Sequence, residues 1–148
     1  MKKIIVGLTL LLGLASFTAF ARGEEKVSKE TLLNFKREFK TAENVSWAMA
    51  DEIATASFSL NGFRVQAYFD GEGQLLGTAR AILFEQLPIT VISAINNRFD
   101  TAPVYEIVEY TRGAETFYCM TVETVKNKLK VRATSSGNIS VDKKIKKQ

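Results

Sequence analysis

The chemistry-bearing residues with the clearest spacing are Lys128, Lys130 and Arg132, which alternate with Leu129, Val131 and Ala133. Successive side chains of a strand point to opposite faces, so burying the apolar three turns the cations outward together, roughly 6–7 Å apart. Three like charges at that spacing repel, and an acidic protein or lipid partner would relieve them. Arg64, Gln66 and Tyr68 alternate in the same way with Phe63, Val65 and Ala67, and Phe117, Cys119 and Thr121 form a third such set. Aromatic residues and arginine are the types that anchor interfaces. Arg64, Tyr68, Phe117, Lys128, Lys130 and Arg132 are therefore the candidate partner-binding residues.

Catalytic readings find little material. The chain has no histidine, which removes the commonest general base and metal ligand. Cys119, the single cysteine, lacks a histidine to activate it, and its mid-strand place reads as a quiet, partly buried thiol. Asp51, Asp70 and Glu72 fall in turns, without the alternating oxygen ligands of a calcium loop. Gly71-x-Gly73 is too short for a phosphate loop. The expectation is a non-enzyme with no metal and no cofactor.

The elements that position these residues are legible from period and turn signals. Asn61-Gly62 is a strong hairpin signal, and it joins two alternating runs in which Ala54, Ala56, Phe58 and Leu60 share a face, as do Phe63, Val65, Ala67 and Phe69. A turn at Asp70–Gly73 leads to a third strand, from about Gln74 to Ile82. Ahead of the hairpin, Asn44 to Met49 reads as a short strand carrying Trp47. Ser28 reads as an N-cap for an amphipathic helix to about Lys40, with Leu32, Phe35 and Phe39 on one side. Leu87-Pro88 starts a second helix, marked by Ile89, Ile92, Ile95 and Phe99 with Val91, to about Arg98. Strands follow at Val104 to Thr111, Glu115 to Val125, Lys128 to Thr134 and Ile139 to Asp142, before a lysine tail.

Phe39-Lys40-Thr41-Ala42 and Phe99-Asp100-Thr101-Ala102 close the two helices 60 residues apart, and four strands follow each. The expected fold is α+β: two tandem units of a helix and a four-stranded antiparallel meander, with the helices on one face of the sheet. The expected boundaries are a signal peptide at 1–21, a flexible segment at 22–27 and one domain at 28–145. Within that domain the repeats span about 28–86 and 87–145, and 146–148 form a tail.

Lys2 and Lys3 precede an apolar run to about Phe17, and Ala19-Phe20-Ala21 supplies small residues at a cleavage site. That run is shorter than the ~20 residues of a membrane span. Cleavage would leave 18 basic and 16 acidic residues, a net +2 that is unevenly spread. From Lys126 onward eight basic residues face Asp142 alone, a polarity that suits an acidic partner. Export argues against nucleic acid as that partner.

Val45-x-Trp47, Ala56-x-Phe58, Gly62, Ala67-Tyr68-Phe69-Asp70, Gly73, Gly77-Thr78-x-Arg80 and Leu87-Pro88 together resemble the PepSY-like or β-lactamase-inhibitor-like family of small secreted bacterial proteins. The resemblance covers roughly residues 30 to 145. It implies a helix plus antiparallel-sheet unit, often duplicated, and no enzymatic role. The expected function is a non-catalytic periplasmic or secreted binding module that inhibits or modulates an envelope or secreted enzyme, as a monomer or weak dimer. The other reading is a structural or sequestering envelope protein that meets acidic polymer or lipid headgroups through the basic strand.

Overall fold

Asn61 and Gly62 take the positive φ values (50° and 83°) of a tight hairpin turn, and that turn sets the register of the strands around it. The computed structural model describes residues 24–147, so the expected signal peptide lies outside the described residues. After a 3-10 turn at Glu24–Lys26, helix α1 spans Lys29–Glu38 and strands β1 to β4 follow at Glu43–Ala50, Ile53–Leu60, Phe63–Phe69 and Leu75–Ala81. A second 3-10 turn at Phe84–Gln86 precedes α2 at Ile89–Phe99. Strands β5 to β8 then run Val104–Arg112, Glu115–Glu123, Asn127–Thr134 and Ile139–Lys146. No helix among the described residues is long and apolar enough to cross a membrane.

The expectation of two tandem helix-plus-four-strand units is overturned. Among the described residues, eight strands form a single antiparallel sheet in the order β1 to β8, accompanied by two short α-helices. The join is made by β4 and β5, through the pairs Thr78–Thr111, Ala79–Tyr110, Arg80–Glu109 and Ala81–Val108. A four-stranded unit ending at β4 would expose a row of unpaired backbone groups, and β5 satisfies them. Two smaller expectations also change. Of the segment before α1, residues 24–27 are described, with Val27 buried in the core, and β8 continues through the lysine run to Lys146.

Ser28 caps α1 as its position suggested, its hydroxyl accepting from the Thr31 amide at 3.1 Å. The buried face of α1 centres on Phe35, which meets Trp47 and Phe58 edge-on, each at 5.1 Å between ring centroids. Leu32 and Phe39 flank it, over Ala56, Val65, Ala67 and Phe69. In α2, Val91 and Ile95 are fully buried against Ile107, Tyr118, Met120 and Val131. Ile89 was expected on that side and is instead exposed, because at 3.6 residues per turn it lies more than ~100° around the helix from both Val91 and Ile95.

Register places both clusters on one face, since Phe58, Val65, Arg80, Glu109, Tyr118 and Ala133 lie in one row across six strands. Side-chain bonds fix the helices against the turns before β4 and β8. The Asn34 amide donates to the Gly73 carbonyl at 2.7 Å, and the Thr90 hydroxyl to that of Ser135 at 2.8 Å. Gly73 has φ 78°, and a Cβ there would stand 2.9 Å from the Thr31 nitrogen, so this approach requires glycine.

Candidate binding face

The helices cover one face of the sheet. On the other, alternation and register gather Thr55, Ser57, Gln66, Tyr68, Tyr110 and Phe117 with the cations of β7. All six residues singled out in the sequence lie on this open face, in three places.

Tyr68, Phe117 and Arg132 line a hollow of about 360 Å³ over β3 to β6. Its floor is bare because the outward positions of β4 are Gly77, Ala79 and Ala81. Gly77 cannot be larger, as a Cβ there would stand 2.6 Å from the Thr111 carbonyl oxygen. Tyr110 and Phe117 stack as a cross-strand pair, 5.2 Å between centroids and 13° between planes. The Arg132 guanidinium covers the other end of that stack, 5.4 Å from the Phe117 centroid, and is held by Asp142 at 2.9 Å. Burial raises the Tyr110 hydroxyl to about 12 and pushes the Tyr68 hydroxyl up as well. Tyr68 donates to the Gln66 side-chain oxygen at 3.0 Å. The hollow therefore offers aromatic surface, with Arg132 over one end of the stack and Arg112 and Glu115 also in its lining.

Lys128 and Lys130 belong to a separate polar patch. The Lys130 ammonium lies 2.8 Å from the Glu106 carboxylate and donates to the Thr121 hydroxyl at 2.7 Å. Hydrogen bonds from Lys130 and then Thr121 hold the Glu106 carboxyl below its ordinary range. Lys128 stands 5.9 Å from the Tyr105 ring centroid, and that tyrosine, followed by the charge of Glu123, holds its ammonium above the ordinary range. Glu123 is engaged by Lys147 and by the Tyr105 hydroxyl, which keep its carboxyl low. The sequence argument that these cations repel without relief is therefore corrected: acids within the fold partner Lys130 and Arg132, and Tyr105 and Glu123 attend Lys128. Arg64 is exposed at the other end of β3, opposite Ser59 of β2.

Cys119 points to this face but is buried, and burial raises its thiol above the ordinary range. A protonated, covered thiol is a poor nucleophile. Trp47 belongs to the core. Among the described residues no group of three or more cysteines, aspartates or glutamates is placed to hold a metal ion.

Sequence reasoning missed Tyr110, Gly77 and the acids that meet the β7 cations. One available signal was the run Gly77-x-Ala79-x-Ala81, small residues at a period of two within a strand. Tyr110 was hidden by a bulge in β5, where the register shifts between Tyr105 and Val108 and Glu106 takes φ 55°.

No family model matches this chain, and no curated protein matches it significantly. Solved structures do share the fold. A BLIP-like protein from Bacteroides fragilis superposes with a TM-score of 0.72 at 19% identity, over 82% of this chain and 89% of that one. A DUF2874 family protein from Bacteroides uniformis gives 0.70 at 19% identity, over 76% and 86%. A candidate periplasmic protein from Bacteroides eggerthii gives 0.70 at 16% identity, over 81% and 88%. At these identities the likeness establishes a shared fold. One of these neighbours is described as BLIP-like, and none of the three is described as PepSY-like.

Proposed function

We propose that this chain is a non-catalytic periplasmic or secreted binding module that inhibits or modulates an envelope or secreted enzyme, using the open face of its sheet as the contact surface. The observation that carries this reading is the hollow bounded by Tyr68, Tyr110, Phe117 and Arg132, which no described element covers. Aromatic and arginine side chains around a concave patch are the composition of an interface centre. The BLIP-like and candidate periplasmic neighbours support the compartment and the class of activity, together with the signal-peptide pattern at the N-terminus. Sequestration of acidic polymer through the basic strand is the weaker reading, because Lys130 and Arg132 already hold Glu106 and Asp142.

The test is capture from an envelope extract by immobilised mature protein, with Phe117→Ala as the comparison. One stoichiometric protein retained by the parent and lost by Phe117→Ala, with the variant still cooperatively folded, is the expected result. Equal capture by both overturns the assignment of the face. Heterogeneous capture that disappears with moderate salt moves the function to sequestration.

A further inference from the structure

Among the described residues, eight strands in sequential order leave two edges without a strand partner, β1 and β8, and the two differ in charge. β8 carries Lys143, Lys144 and Lys146 over its last four positions, all exposed. Lysines along an edge oppose the addition of another strand. β1 carries no charged residue from Asn44 to Ala50, and Val45 and Met49 each keep 38% of their surface exposed. Its pairing with β2 is irregular between Glu43 and Ser46 but unbroken from Ser46 to Ala50. Five consecutive residues thus present a regular, uncharged edge.

We propose that this edge is an interface for a second copy of the chain, pairing β1 with β1 in antiparallel fashion so that two sheets become one. Of the three ways to join the edges, β8 with β8 sets lysines against lysines. Pairing β1 with β8 is head-to-tail, making a ring or an open filament according to the rotation, and it too must bury the lysine row. Pairing β1 with β1 closes about a two-fold axis and sets no like charges opposite one another. With the axis at Ala48, that residue meets its own copy, Trp47 meets Met49 and Ser46 meets Ala50. Asp51 and Glu52 then fall opposite Val45 and Asn44. The joint lies in the plane of the sheet, so it leaves the open face of each copy uncovered and does not depend on the function proposed above.

The axis position makes the test specific. Directly opposed residues of an antiparallel pair stand about 4.5–5.5 Å apart at Cα, within reach of a disulfide. Cys119 is the one native cysteine and is buried, so Ala48→Cys introduces the accessible thiol. Under mild oxidation Ala48→Cys should form an intermolecular disulfide, and Ser140→Cys on β8 should not. Sedimentation of the cysteine-unaltered mature protein should show a monomer–dimer equilibrium whose dissociation constant rises at least tenfold in Ala48→Lys, with an unchanged melting temperature in dilute solution. A parent that stays monomeric at the highest attainable concentration overturns the proposal, as does Ala48→Cys crosslinking no faster than Ser140→Cys. The Glu24–Lys26 turn also contacts β1, and a turn that seals the edge would produce that negative outcome.

Discussion

Lys130 on β7 reaches across β6 to Glu106 on β5, ammonium to carboxylate at 2.8 Å, with the buried Thr121 hydroxyl bonded to both. The three strands are thereby tied at the position where β5 bulges and Glu106 adopts a left-handed backbone. Because the carboxyl is held below its ordinary range, the stabilisation is present in full above that range. It is lost as pH falls through the lowered value. Glu106→Gln should cost no more than ~1 kcal/mol at neutral pH, since both side chains are partly exposed. Denaturant titrations of parent and variant should converge in acid. An unchanged separation at low pH would show that the ion pair is not the source of the difference.

The same geometry changes what charge reversal should do. Lys130→Glu brings a second carboxylate against Glu106, and Lys128→Glu approaches Glu123. The double reversal should lower the melting temperature measured by thermal denaturation, because it replaces these attractions with like-charge contacts. It is therefore a poor probe of binding, and Phe117→Ala is the better one.

The helix phases separate two residues that share apolar character and helical spacing. Phe35 is 5% exposed and packs against four aromatic rings, and Ile89 is 74% exposed. Phe35→Ala should cost about 3–5 kcal/mol of unfolding free energy. Ile89→Ala should fall within about 0.5 kcal/mol of the parent. Equal losses at the two positions would place Ile89 in a contact absent from the structure.

Tyr110 provides a spectroscopic marker for the hollow. Its hydroxyl is raised to about 12, so the folded state keeps that proton after the unfolded chain has released it. The associated stability is intact below pH ~10, the ordinary tyrosine value, and is lost as pH climbs through the folded value. Ultraviolet titration of the four tyrosines should show a late step near 12 that Tyr110→Phe removes. A titration complete by pH 11 would mean that the hollow is wetter than its packing implies.

Local pattern carried much of this architecture. Asn61-Gly62 and the alternation around it specified the β2–β3 register, with Phe58 opposite Val65 and Ala56 opposite Ala67. The six candidate residues fell on one face for the same reason, since a period of two is insensitive to what lies beyond the strand. The pairing of β4 with β5 was illegible, because it joins residues about 30 positions apart and no local signal records which edge meets which. Tyr110, Gly77 and the Glu106 contact to Lys130 all depend on long-range registry or on the bulge. The sequence therefore showed which residues face outward but not which of them meet.

Every strand of the sheet pairs with the strand next to it in the chain, from β1 through β8. Apart from the β4–β5 connection, which carries α2, the loops that must close are short and their entropic cost is small. A chain that emerges from a pore N-terminus first could add each strand to a sheet already begun, with α1 and α2 seated in turn before the strands they cover. Vectorial assembly of this kind keeps the growing edge exposed for one strand length at a time, and the lysine-bearing β8 terminates it.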